Sequence, residues 1–221
     1  MKSNRTLIIV VGAVVAVLAL AGIAVLVSGD DESAGVLAPG ETRPEPSGPV
    51  EQNRPVEVTG PPLATFSDTV VPDPAIGTAF PEMAGETFDG TSISLGGASD
   101  GPTMLVFLAH WCPACNQEVP ELVELNNRDG IPADMDVIGV STGVDNTAPN
   151  YPPSDWLADR NWPWETLADD AQSTAFLFGG GSGFPYLVIL DADGNVLARD
   201  TGAKPAEELA TWISDALATT T

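Results

Sequence analysis

Phe107-Leu108-Ala109-His110-Trp111-Cys112-Pro113-Ala114-Cys115 is the stretch on which the reading of this chain turns. It completes TMLVFL, Thr103 to Leu108, a continuous apolar run of strand length, the pattern of a strand covered on both faces as in a parallel sheet. A short loop follows, and Cys112 to Asn127 reads as a helix with apolar positions Val119, Leu122, Val123 and Leu125. The first thiol therefore sits at a helix N-terminus, where unpaired backbone N–H groups and the positive end of the helix dipole stabilise a thiolate and ready it to attack a disulfide. Cys115 lies one turn along and behind it, within reach to resolve a mixed disulfide by attacking Cys112. Pro113 suits the first turn, because its missing N–H has no intrahelical partner there.

Outward from this centre, Asp136 to Val140 (DVIGV) reads as the next buried strand, Ser154 to Arg160 as a second helix and Trp164 to Leu167 as a short strand. Ala171 to Phe178 is helical in character and is stopped by the glycines between Gly179 and Gly183. YLVIL from Tyr186, the Asp193-Gly194 turn and Val196 to Arg199 make a hairpin, and Pro205 to Leu217 an amphipathic closing helix. Upstream, Phe80 to Leu95 has a Phe-Asp-Gly-Thr turn before alternating Ser-Ile-Ser-Leu, a small N-terminal hairpin. Strands alternating with helices and then an antiparallel hairpin predict an α/β domain with a mixed central sheet and helices on both faces.

Residues 7–27 read LIIVVGAVVAVLALAGIAVLV, an uncharged apolar run long enough as a helix to cross roughly 30 Å of hydrocarbon. Lys2 and Arg5 precede it and Asp30, Asp31 and Glu32 follow, so the positive-inside bias predicts a single-pass cell-membrane protein with residues 1–6 in the cytoplasm and the rest outside. A cleaved signal peptide competes with this anchor, but SGDDESA is a poor cleavage site. Residues 28–71, dense in Pro, Gly, Ser and acids, predict a linker, which leaves the folded domain to 72–221. With 31 acidic against 8 basic residues the net charge is −23, which opposes nucleic-acid and anionic-lipid partners and favours solubility.

The two cysteines are the only ones in 221 residues, and His110 is the only histidine. A structural disulfide closing so short a loop would remove little unfolded-state entropy, on the order of 2 kcal/mol. Tetrahedral zinc wants four nitrogen or sulfur ligands, more than the pair and one histidine supply, and a copper carrier would want a further soft ligand. No metal and no cofactor is expected.

Trp111-Cys112-Pro113-Ala114-Cys115 after an apolar strand resembles a thioredoxin-fold active site, and the longer Cys-x-x-Cys-x-x-Glu-x-Pro string, Cys112 to Pro120, resembles the TlpA/ResA group of extracytoplasmic disulfide reductases, which includes the CcmG-type proteins of cytochrome c maturation. The resemblance runs over 76–217 and is weakest at 146–160. It implies a thioredoxin-like three-layer α/β/α sandwich with an N-terminal β-hairpin extension. It makes Cys112 the nucleophile and Cys115 the resolving thiol, places Pro120 at a bend of the active-site helix, and puts Pro185 at a cis-proline opposite the cysteines. There the backbone of Phe184 would meet an extended substrate; Trp111, a candidate for the same substrate site, either caps the active site or merely packs. Glu118, on the face of Cys115, becomes a proton relay, or from spacing alone a solvated carboxylate. Val106 departs from thioredoxin, which carries a buried aspartate there. His110 is either a plain loop side chain or a group tuning the thiolate.

The expected function is thus a thiol-disulfide oxidoreductase that reduces disulfides of exported proteins, cytochrome c maturation among the possibilities, fed by a membrane electron donor or acceptor. A disulfide-forming oxidase uses the same groups and differs in reduction potential. A peroxiredoxin would carry Pro-x-x-x-Thr-x-x-Cys, which is absent. A membrane-anchored binding module with an inert disulfide is the alternative that is not an enzyme.

Overall fold

The structure, a computed structural model, describes residues 49–218. The span expected at 7–27, the segment 1–6 and the first part of the linker lie outside them. No helix among the described residues is long and apolar enough to cross a membrane. In chain order these residues form β1 (Glu57–Thr59), β2 (Glu82–Glu86), β3 (Ser92–Leu95), β4 (Thr103–Leu108), α1 (Pro113–Asn127), β5 (Asp136–Ser141), α2 (Pro153–Asp159), β6 (Thr166–Ala168), α3 (Thr174–Phe178), β7 (Tyr186–Leu190), β8 (Val196–Thr201) and α4 (Ala206–Ala218).

The apolar strand β4 is the middle of a five-stranded sheet ordered β6-β5-β4-β7-β8. It runs parallel to β5 and antiparallel to β7, with Phe107 opposite both Val140 and Tyr186. Side chains alternate across a strand, so β4 feeds two cores. Met104, Val106 and Leu108 join Val119 and Leu122 of α1 and Leu209 and Ile213 of α4 on one face. Leu105 and Phe107 join Phe176 of α3 on the other, together with Met83, Ile93 and Leu95 of a small antiparallel sheet ordered β1-β2-β3. This is a thioredoxin-like α/β fold, a mixed sheet between two covering layers, in which the β1–β3 sheet and the short α3 form the second layer.

The linker expected at 28–71 differs over its second half. From Pro49 the chain lies on the domain: Glu51 N–H donates to Phe88 O at 2.8 Å, β1 pairs with β2, and Phe66 is buried with its N–H bonded to Gly180 O at 2.8 Å. Prolines remove any hydrophobic period from this stretch, yet Val56, Val58 and Leu63 still pack against the second core. Hydrogen bonds and single anchoring side chains hold it where no periodic pattern could announce it. Asp73 completes the attachment as an ion pair with Arg199, whose side chain is wholly buried. Arg199 also donates to Ala64 O at 2.8 Å and to the Tyr186 hydroxyl at 3.2 Å.

Candidate active site

Cys112 lies at the C-terminal end of the sheet, as the N-cap of α1. Its Sγ accepts the Cys115 N–H at 3.5 Å and, as a thiol, donates to the carbonyl oxygen of Phe184 at 3.6 Å. Cys112 is 7 % exposed and Cys115 0 %, so an incoming disulfide can meet the first sulfur and not the second. The Phe184–Pro185 peptide bond is cis. Trp111 stands edge-on to Phe184 with ring centroids 5.8 Å apart, and its indole N–H donates to Gly143 O at 2.7 Å. At 37 % exposure Trp111 offers open aromatic surface beside the thiol.

Beneath the pair, Glu118 of α1 is fully buried. Its Oε2 accepts the backbone N–H of Lys204 at 2.6 Å, and its Oε1 has no hydrogen-bond partner. Burial pushes this carboxyl up to about 7; the Lys204 N–H and ammonium oppose the rise, and Glu121 and Asp200 add to it. Burial also holds the Cys115 thiol far above the usual thiol range; the Ala109 backbone pulls against it, and Cys112 and Glu118 push the same way. Val106, where thioredoxin has an aspartate, is a plain core residue. Among the described residues no three His, Cys, Asp or Glu side chains gather as a metal site.

His110 is buried and makes two hydrogen bonds: Nε2 accepts the Asp145 N–H at 3.2 Å, and Nδ1 pairs with Pro149 O at 2.8 Å. An acceptor at Nε2 leaves the proton on Nδ1. The ring thus bolts the 143–151 loop to the turn before Cys112. Asn116 is a second bolt. Its Nδ2 donates to His110 O at 3.1 Å and to Cys112 O at 2.9 Å. Its Oδ1 accepts from Asn150 at 3.2 Å, Trp156 at 3.0 Å and Arg160 at 2.6 Å. Nothing local in the sequence signals Asn116, Arg160 or Lys204, because the contacts that tie them to the site, Asn116 to Asn150 and Arg160, and Lys204 to Glu118, join residues 34 to 86 positions apart.

Residues 76–199 match the family described as AhpC/TSA. A thiol:disulfide interchange protein DsbE homolog of Paracoccus denitrificans is 30 % identical over 108 residues, 49 % of this chain and 55 % of that protein. The methylamine utilization protein MauD of Paracoccus versutus is 27 % identical over 126 residues, 57 % of this chain and 58 % of that one. The chain thus spans little more than half the length of these relatives. Among solved structures, a thioredoxin-family thiol:disulfide interchange protein from Chlorobium tepidum covers 64 % of this chain and 97 % of its own at 22 % identity and a TM-score of 0.51. An uncharacterized conserved protein from Geobacillus kaustophilus covers 75 % and 87 % at 19 % identity and a TM-score of 0.55. At such identities the likeness speaks for the fold.

Proposed function

The chain belongs to the AhpC/TSA family, and on that premise we propose that it is a thiol-disulfide oxidoreductase that reduces disulfides of exported proteins through Cys112 and Cys115. The observation that carries this reading is Cys112 as the N-cap of α1, its sulfur facing the Cys115 N–H and the rim formed by Trp111 and Phe184. The name of the Paracoccus denitrificans relative, a thiol:disulfide interchange protein homolog, supports the disulfide-interchange part of this reading.

The Cys112 thiolate attacks one sulfur of a substrate disulfide; a mixed disulfide forms and the other substrate sulfur leaves as a thiolate. Cys115 then loses its proton to the ionised Glu118 carboxylate and attacks the Cys112 sulfur, and the second substrate thiolate departs. Two electrons pass to the substrate, its thiolates take up two protons, and the Cys112–Cys115 disulfide remains for a membrane electron donor to reduce. A carboxyl at about 7 is half protonated near neutrality, the condition in which it best takes and returns a proton. The backbone at the cis Phe184–Pro185 bond would pair with an extended substrate segment.

An oxidase draws its driving force from a stabilised reduced form, and burial of the Cys115 thiol adds nothing to that form; the reductase direction rests on the resemblance of the Cys112 to Pro120 string to the TlpA/ResA group. The sequence adds the location, a domain outside the cell membrane on a single N-in anchor at 7–27, and the resemblance adds apocytochromes c among the substrates. Purified protein should reduce insulin with dithiothreitol as donor. Cys115→Ala should trap mixed disulfides through Cys112, and Cys112→Ala few. No insulin reduction, or equal trapping by both variants, would overturn the reading.

A further inference from the structure

The described residues contain five basic side chains, and four are held by a carboxylate: Arg54 by Glu86, Arg128 by Glu124, Arg199 by Asp73 and Lys204 by Asp200. Arg160 alone among them has no acidic partner within ion-pair distance. Its guanidinium stacks on Trp156, 5.2 Å from the ring centroid, and donates through Nη2 to Asn116 Oδ1 at 2.6 Å and through Nη1 to Trp156 O at 3.4 Å. Asn116 in turn donates to the carbonyl of Cys112 at 2.9 Å. A cation is thus joined to the nucleophile's own peptide through a single amide.

We propose that Arg160, acting through Asn116, is a positioning and electrostatic residue for Cys112 that favours its thiolate and so raises the reduction potential of the pair. The inference rests on the reading of Cys112 as the nucleophile. Three features support it. The amide cannot turn over, because Asn116 Oδ1 is gripped by three donors, Asn150, Trp156 and Arg160. A cation at Oδ1 polarises the amide and strengthens the Nδ2–H bond to Cys112 O, as charge does along a hydrogen-bond chain. Finally, Arg160 is partly buried, and among the described residues no carboxylate lies within ion-pair distance of it. On its other side, the Cys112 thiol donates to the Phe184 carbonyl at 3.6 Å. Removing the cation therefore leaves the Cys112 thiolate with the helix N-terminus alone.

Full-length protein carrying Arg160→Gln keeps a donor for Asn116 and loses the charge, whereas Arg160→Lys keeps the charge. In glutathione redox buffers at pH 7 and low salt, Arg160→Gln should stabilise the disulfide about three- to tenfold over the parent, a potential more negative by up to about 30 mV. Iodoacetamide should alkylate Cys112 more slowly by a similar factor. Arg160→Lys should recover at least half of both changes, and 1 M salt should shrink them. Unchanged potential and alkylation rate in Arg160→Gln, or an Arg160→Lys that behaves like Arg160→Gln, would overturn the proposal. If the parent pair does not equilibrate with glutathione at all, it is the oxidoreductase reading that fails. The native melting temperature of each variant, measured alongside, separates these outcomes from unfolding.

Discussion

Only one oxygen of the Glu118 carboxyl finds a donor in its buried site, and that asymmetry has a measurable pH signature. The folded value is about 7, against roughly 4.3 in an unfolded chain. Because the folded value is raised, the native protein binds the extra proton between these limits. The resulting stability is complete below about pH 4.3 and lost as pH rises through 7, on the order of 3 kcal/mol in all. Glu118→Gln keeps an acceptor for the Lys204 N–H and cannot ionise. In urea titrations from pH 4.5 to 8 the variant should therefore gain on the parent as pH rises, while exchanging with insulin at least tenfold more slowly near neutrality. A stability difference that stays flat over this range would show that the carboxyl is not desolvated. Glu118 was legible because it sits three residues after Cys115 and within the Cys-x-x-Cys-x-x-Glu-x-Pro string. Asn116, in the same string, was not: its role comes from Asn150, Trp156 and Arg160, which only the folded chain brings to it.

Between elements, two carboxylates of α1 receive the start of α4. Glu118 takes the N–H of Lys204, and Glu121 takes that of Ala206 at 2.8 Å. These donors have no partner inside α4, so Glu121 acts as a cap supplied from another helix. Glu121→Ala should cost about 1 kcal/mol by chemical denaturation. Glu124→Ala, which loses only the exposed pair with Arg128, should cost a few tenths; equal losses would deny the cap. Deeper in the same interface, Leu122→Ala should cost about 2–5 kcal/mol, since Leu122 is fully buried in the first core. The elements whose apolar pattern announced them, β3, β4, α1, β5, β7 and α4, each bury at least one face. α3 begins at Thr174 rather than Ala171 because the Asp169 and Asp170 carboxylates bind the N–H groups of Gln172, Thr174, Ala175 and Phe176 and hold the preceding residues in a turn. Such side-chain competition leaves no hydrophobic period to read.

For the molecule as a whole, residues 49–79 decide where the domain starts. Burial raises the Asp73 carboxyl, but the hydrogen bonds from Arg199 and the Ala75 N–H outweigh it and hold the group below the usual range. Its contribution is therefore present above the ordinary aspartate value and lost as acid protonates it. Asp73→Asn leaves the buried Arg199 guanidinium without a counter-charge and should destabilise by about 3–5 kcal/mol in urea at pH 7; a loss under 1 kcal/mol would show the pair to be dispensable. On whole cells, a protease added outside should release the domain by cutting upstream of Pro49, and full protection would remove the proposed orientation. The same segment also occupies strand edges. Arg54 N–H bonds Ala168 O of β6 at 3.3 Å. β1 lines the open side of β2, and Gly77 and Thr78 pair with Val196 at the head of β8. Bare edges are templates for other chains. A chain cut back to begin at residue 76, where the family match starts, would uncover the flanks of β2 and β6 and the pocket of Phe66. It should then gather into oligomers by light scattering at concentrations where a chain from Pro49 stays single, so the sequence outside the shared domain serves here as protection against self-association.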